Sequence, residues 1–206
     1  MKNIINTKKL IFLLSILLIT GAFTLDRTNV PDKPEDISPL LIGENIPEVS
    51  LKNLDGKIVS LNKIVKEKPT ILIFYRGGWC PFCNRQLSGI QEIEGDIQKL
   101  GYQILAVSPD KAENLKKTID KNELKYTLLS DSKMEVCQAF GIAYINSKYG
   151  EMLVKASGEE HHMLPVPTVM VLDKDGKIKF EYINPNYKER LNPKLLLLAA
   201  ELALKD

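Results

Sequence analysis

Cys80 and Cys83 stand two residues apart in Trp79-Cys80-Pro81-Phe82-Cys83. Thiols at this spacing can exchange oxidation states within one chain. The reactive form of cysteine is the thiolate, and a free thiol titrates at about 8.5. The unpaired amides and dipole of a helix N-terminus lower that value. A second thiol one turn away can attack the first once it has become a mixed disulfide or a sulfenic acid. Pro81 fits the opening turn of a helix, where its missing N–H costs little. Competing uses of the spacing fare worse. A zinc site of this kind needs a second pair, and haem attachment needs His at position 84, which is Asn84. A structural disulfide is the remaining alternative. The flanking Gly77-Gly78 and Trp79, between a strand and a helix, favour redox chemistry.

The elements around the pair are legible from periodicity. Thr70-Ile71-Leu72-Ile73-Phe74-Tyr75 is a continuous apolar run and predicts a strand buried on both faces. Leu87, Ile90, Ile93, Ile97 and Leu100 recur at helical spacing and predict one helix closed by Gly101. Strands are predicted at Tyr102–Ser108 and Tyr126–Leu129, with a polar helix over Asp110–Lys121 between them. Asp131 or Ser132 is placed to cap a short helix reaching Phe140. Upstream, Asp55-Gly56 between Val49–Leu51 and Ile58–Leu61 signals a hairpin. Downstream, Pro167–Leu172 and Lys177–Tyr182 bracket Asp173-Lys174-Asp175-Gly176, and a helix follows from Pro193 to Lys205. This order predicts an α/β layer with a mixed sheet.

The chain opens differently. Lys2, Lys8 and Lys9 precede the apolar run Leu10–Ile19, and the small residues Gly21, Ala22 and Thr24 follow. Residues 1–24 therefore read as an export signal or an N-terminal membrane anchor, placing the domain outside the cytoplasm, as in the periplasm. Pro31, Pro34 and Pro39 mark residues 25–43 as a linker, and residues 44–206 as the domain. The formal charge of the 206-residue chain is +2, and residues 25–206 carry 25 basic and 26 acidic side chains. That balance gives no basis for nucleic-acid binding. Three cysteines are too few for a disulfide-built scaffold, so they are chemical candidates first.

Phe74–Leu87, with Arg76-Gly77-Gly78-Trp79-Cys80-Pro81-Phe82-Cys83 at its centre, resembles the active-site segment of peroxiredoxin-like proteins of the AhpC/TSA group. The resemblance continues through Leu105–Pro109, Leu129-Ser130-Asp131, Phe140-Gly141, Leu164–Thr168, Leu172–Ile178 and Pro185–Pro193, covering nearly all of residues 43–206. It implies a thioredoxin-like fold, a mixed central sheet flanked by helices with a peroxiredoxin-type N-terminal hairpin. Typical members carry Pro, Thr and the peroxidatic Cys in this segment and Arg on a later strand. Matched here, those positions hold Arg76, Cys80, Cys83 and Pro167, and Pro167 is similar to the cis-Pro of thioredoxins.

Two mechanisms follow from the resemblance, neither needing a cofactor. In a peroxidase, Cys83 attacks a hydroperoxide, Cys80 resolves the sulfenic acid, and a thioredoxin-like donor reduces the disulfide. In a disulfide reductase, Cys80 attacks a partner's disulfide and Cys83 resolves. The whole-chain resemblance favours the first; residues 76, 80 and 167 favour the second. Arg76, Trp79 and Pro167 are the candidate substrate-positioning residues. Cys137, between Val136 and Phe140, reads as a buried structural thiol. His161-His162 with the cysteine pair would offer copper ligands, making a copper metallochaperone the non-enzyme alternative.

Overall fold

The computed structural model describes residues 29–205, so the expected export segment lies outside the described residues. Among them, no helix is long and apolar enough to cross a membrane.

The centre of the fold is the apolar run. It forms β3 (Thr70–Phe74), every residue of which is buried. Side chains alternate across a strand. Ile71 and Ile73, followed by Tyr75, therefore enter one core while Leu72 and Phe74 enter the other. On one side β3 pairs in parallel with β4 (Gln103–Ser108), which pairs in parallel with β5 (Thr127–Ser130). On the other it pairs antiparallel with β8 (Thr168–Leu172), which pairs antiparallel with β9 (Ile178–Ile183). The predicted hairpin, β1 (Ser50–Lys52) and β2 (Ile58–Ser60), attaches through β1 to β5. The result is a seven-stranded mixed sheet in the order β2-β1-β5-β4-β3-β8-β9.

Helices cover both faces. The Tyr75 face receives α2 (Pro81–Glu92), α3 (Glu94–Lys99), Leu115 of α4 (Ala112–Asn122) and α7 (Pro193–Ala203). The Phe74 face receives α1 (Leu61–Glu67) and α5 (Glu135–Ala139). A small sheet of β6 (Ala143–Ile145) and β7 (Met163–Pro165), with α6 (Gly150–Ser157) between them in sequence, packs as a third cluster on Leu153, Leu164 and Val166.

Three expectations are revised. The single helix through Leu100 is broken at Ile93, whose torsions of −103° and 4° leave the helical basin. There Glu94 is buried and accepts from both Gln91 and Gln98, and Gly95, a poor helix former, follows. The stretch read as a linker lies against the domain: Leu40 is buried and its N–H bonds Phe140 O, while Pro31 O accepts from Ile145 N. Prolines that break periodicity here mark a packed strap with one 3-10 turn at Pro34–Asp36. Finally, Val166-Pro167 is not a cis peptide; no cis bond occurs among the described residues. Val166 N–H is tied to Ile142 O and Pro167 O accepts from Asn184 N, which fixes the segment from both sides.

Candidate active site

β3 ends at Phe74, and residues 75–80 carry the chain from the sheet to α2. Cys80 is the N-cap of that helix, in extended conformation, with Pro81 at the first helical position. Cys83 therefore falls on the third helical residue, its side chain turned into the core. All three cysteines are free thiols. Cys80 is 1% exposed and Cys83 is fully covered.

The loop before the pair is clamped. Asp110 accepts the Gly78 N–H at 2.7 Å, and the Asn84 amide donates to Gly78 O at 2.8 Å. Asn122 of α4 in turn donates to Asn84. Gly77 needs its glycine, at φ +137°, and a Cβ on Gly78 would collide with Thr118 Oγ1. Gly78 is thus required by the close approach of α4, and Gly77 by its own backbone conformation beside Trp79 and Asp110.

Charge around the sulfurs is one-sided. Arg76 is 2% exposed, and its guanidinium lies over three rings: Tyr187 at 4.0 Å, Trp79 at 5.1 Å and Tyr149 at 5.4 Å. Among the described residues aromatic faces, not a carboxylate, hold this cation, and its Nε and Nη2 make no hydrogen bond there. Arg190 adds a second cation and donates through Nη2 to Cys83 Sγ at 3.4 Å. Phe82 and Tyr187 meet edge to face at 5.7 Å and close the outer side.

The two thiols respond in opposite directions. The Cys83 thiol, hydrogen-bonding to Cys80, is the largest influence in pulling Cys80 down to about 6. Burial opposes it, and the Cys83 amide, Arg76 and Arg190 assist. Burial foremost, then the neighbouring Cys80, pushes Cys83 well above the usual thiol range, against the pull of Arg190 and the Arg76 backbone. Both directions favour a Cys80 thiolate accepting from a Cys83 thiol.

The remaining candidates separate. Trp79 is half-buried beside Arg76. Pro167 immediately precedes β8, whose Thr168 pairs with Phe74, so it stands at the sheet end from which the dithiol loop departs. Cys137 belongs to the core on the opposite face of the sheet, where its N–H bonds Asp131 and burial raises its pKa. His161 Nδ1 accepts from Met163 N, and His162 packs against Gly150. Among the described residues no group of three or more His, Cys, Asp or Glu is placed to hold a metal ion, so no such cluster supports the copper-chaperone reading.

Sequence reasoning did not single out Arg190, Tyr187, Tyr149 or Asp110. Their sequence distance from the pair hid them, although Arg190 and Tyr187 lie in the tail segment Pro185–Pro193 that carries part of the family resemblance.

A mixed sheet that presents a polarised dithiol at a helix N-terminus defines a thioredoxin-like thiol oxidoreductase. Comparison makes the class specific. The model of the AhpC/TSA family matches residues 42–181, and the chain belongs to that family. A putative peroxiredoxin bcp of Haemophilus influenzae is 34% identical over 106 residues, covering 52% of this chain and 68% of the relative. Peroxiredoxin Bcp of Escherichia coli K12 is 29% identical over 136 residues, covering 62% and 86%. Peroxidoxin BcpB of Mycobacterium tuberculosis superimposes with a TM-score of 0.64 at 18% identity, over 78% of this chain and 96% of its own. Reduced Prx3 of Vibrio vulnificus, solved with hydrogen peroxide, gives 0.67 at 19% identity, over 79% and 96%. The fold is that of the peroxiredoxins, and the protein is an oxidoreductase of the thiol peroxidase type.

Proposed function

We propose that this protein reduces hydroperoxides with Cys80 as the attacking sulfur, Cys83 as the resolving sulfur and a thioredoxin-like protein as electron donor. The Cys80 thiolate attacks the terminal peroxide oxygen, and the O–O bond breaks. Cys80 becomes a sulfenic acid, and the departing alkoxide takes a proton and leaves as an alcohol. The Cys83 thiol then displaces the sulfenic hydroxyl, releasing water and closing the Cys80–Cys83 disulfide. Two electrons from a donor dithiol restore the thiols.

The observation that carries this reading is a stabilised Cys80 thiolate under the influence of a buried Arg76 whose Nε and Nη2 find no hydrogen bond among the described residues. A guanidinium without a carboxylate partner is suited to developing negative charge on the leaving oxygen. The order of attack is the reverse of the one the family resemblance implies. Electrostatics favour it, because the sulfur at the usual peroxidatic position, Cys83, is the one burial keeps protonated. Cover over both sulfurs suits a small oxidant better than a folded partner's disulfide. The donor must meet the oxidised pair after the Trp79–Phe82 segment shifts. Export is part of the proposal and rests on the basic-then-apolar pattern of residues 2–24.

The test is peroxide consumption by residues 25–206 supplied with a thioredoxin system. Turnover that vanishes in Cys80→Ser and in Cys83→Ser is expected. Peroxide left unchanged by the native protein overturns the reading.

A further inference from the structure

Trp79 stands immediately before Cys80 and also lines a cleft of about 670 Å³ between α4 and α6. Neither Cys80 nor Cys83 lines this cleft, so it is not where a peroxide meets sulfur. Its two walls are tied together: the Lys111 N–H and the Asn114 amide both donate to Ala156 O, at 3.0 Å and 2.9 Å. Its charge is one-sided. Lys111, Lys117, Lys121 and Lys155 line it and are exposed, with Glu113 as the exposed carboxylate among its lining residues. Among the described residues none of these four lysines forms an ion pair. Their stems join Met152 and Ala156 in giving the cleft apolar surface. Two further wall residues hold polar atoms without partners. Trp79 Nε1 and Asp110 Oδ1 are buried and make no hydrogen bond among the described residues. A Cβ on Gly77 would meet both, the second at 2.9 Å. Buried indole N–H groups and carboxylate oxygens ordinarily find partners. A donor and an acceptor gathered over one glycine are the complement of a peptide group, which offers a carbonyl to the first and an N–H to the second.

We propose that this cleft docks an acidic segment of the electron-donor protein, its carboxylates meeting the four lysines and its backbone engaging Trp79 Nε1 and Asp110 Oδ1. The inference rests on the peroxidase reading with a protein donor and adds how that donor is recognised. Complementary charge speeds encounter and sets orientation. Both orphaned atoms are covered in the resting protein, so the segment gains them only as Trp79 moves. No hydrogen bond of the indole opposes that movement among the described residues, and Cys80 is the next residue along the chain. Docking therefore favours the state in which the oxidised pair is reachable. A donor thiolate then attacks Cys80 Sγ, the Cys80–Cys83 bond breaks, and Cys83 leaves as a thiolate. The donor's second thiol displaces Cys80 and closes the donor's own disulfide, and its proton passes to Cys83. Two electrons enter this protein and two leave the donor. A small free carboxylate would meet the lysines without satisfying the pair over Gly77.

Trp79 is the one tryptophan of the chain, so its emission reports on this wall. The reduced protein is titrated at low ionic strength with a capped peptide of repeating Gly-Glu-Asp, with its Gly-Lys-Lys counterpart and with citrate. The acidic peptide is expected to change the emission saturably, more weakly as salt is raised, and to leave it unchanged in Lys117→Glu/Lys155→Glu. Emission unmoved by the acidic peptide, or moved equally by citrate at the same carboxylate concentration, overturns the proposal. A second measurement follows electron transfer. The protein is oxidised with diamide and reduced either by a thioredoxin of net negative charge or by dithiothreitol, a neutral dithiol, and the ratio of the two rates is the reading. In Lys117→Glu/Lys155→Glu that ratio is expected to fall roughly tenfold or more. Lys57→Glu/Lys66→Glu makes the same change of charge on the hairpin and α1, and is expected to keep the native ratio. A native ratio in the cleft variant overturns the proposal. Peroxide enters neither measurement, so failure here stands apart from failure of the peroxidase reading.

Discussion

Replacing Cys83 by alanine removes the largest influence on the Cys80 thiolate while leaving the Cys83 amide and both arginines in place. A hydrogen bond to a charged group contributes roughly 1.5–3 kcal/mol, which is about one to two pKa units. The midpoint of Cys80, pulled down to about 6 in the native protein, is therefore expected to rise by that amount in Cys83→Ala. A thiolate about nine-tenths formed at pH 7 then becomes roughly one-half to one-tenth formed. Alkylation by iodoacetamide at pH 7 slows about two- to tenfold, and its pH profile moves to the right. Cys83→Ser supplies the control, because its hydroxyl still donates; its midpoint is expected to stay within about half a unit of the native one. Cys137 is fully covered and does not compete for reagent. Peptide mapping assigns the adduct to Cys80. An unmoved midpoint in Cys83→Ala would refute the view that the partner thiol holds the charge on Cys80.

Arg190→Met removes the donor 3.4 Å from Cys83 Sγ. It is expected to slow closure rather than first attack, seen as a longer-lived sulfenic acid after one equivalent of peroxide; an unchanged lifetime counts against a role for Arg190. Gly78→Ala drives a methyl group into Thr118 Oγ1, so peroxide turnover should fall at least tenfold, and adding Thr118→Ala should restore part of it. No recovery in the double variant would place the defect elsewhere. Asp131, held by the Val136 and Cys137 N–H groups, is pushed up to about 6 chiefly by burial. Its folded value exceeds the unfolded one, so its contribution is fully present below about 4 and is lost as pH rises through about 6, a swing of roughly 3 kcal/mol at most. Asp131→Asn should flatten that part of the stability profile, and urea unfolding at pH 4 and pH 7 reads the difference; parallel profiles would contradict the assignment.

The sequence showed most clearly what is decided within a few residues of itself. β3, the Asp55-Gly56 hairpin and the helix start at Pro81 follow from local pattern and turn chemistry, and all three stand in the structure. What failed depends on tertiary contact. Ile93 sits on the apolar helical face like its neighbours, yet the helix breaks there around the buried Glu94. The proline-marked stretch before Gly43 has little periodicity, yet it packs through Leu40. At the site, the cysteines declared themselves by spacing. Arg190 and Tyr187 arrive from a segment more than a hundred residues away, and Asp110 from the end of a different strand. Alignment by position sought the later arginine at residue 167, where the chain has Pro167; the fold supplies a guanidinium to Cys83 from Arg190 instead.

The central claim is that Cys80 is oxidised first and Cys83 closes on it. One equivalent of hydroperoxide added to reduced Cys83→Ser and Cys80→Ser, followed by dimedone and peptide mass mapping, tests it most directly. The account predicts a sulfenic acid adduct on Cys80 in Cys83→Ser, and far slower adduct formation on Cys83 in Cys80→Ser. Rapid labelling of Cys83 in Cys80→Ser, with Cys80 left as a thiol in Cys83→Ser, would contradict it.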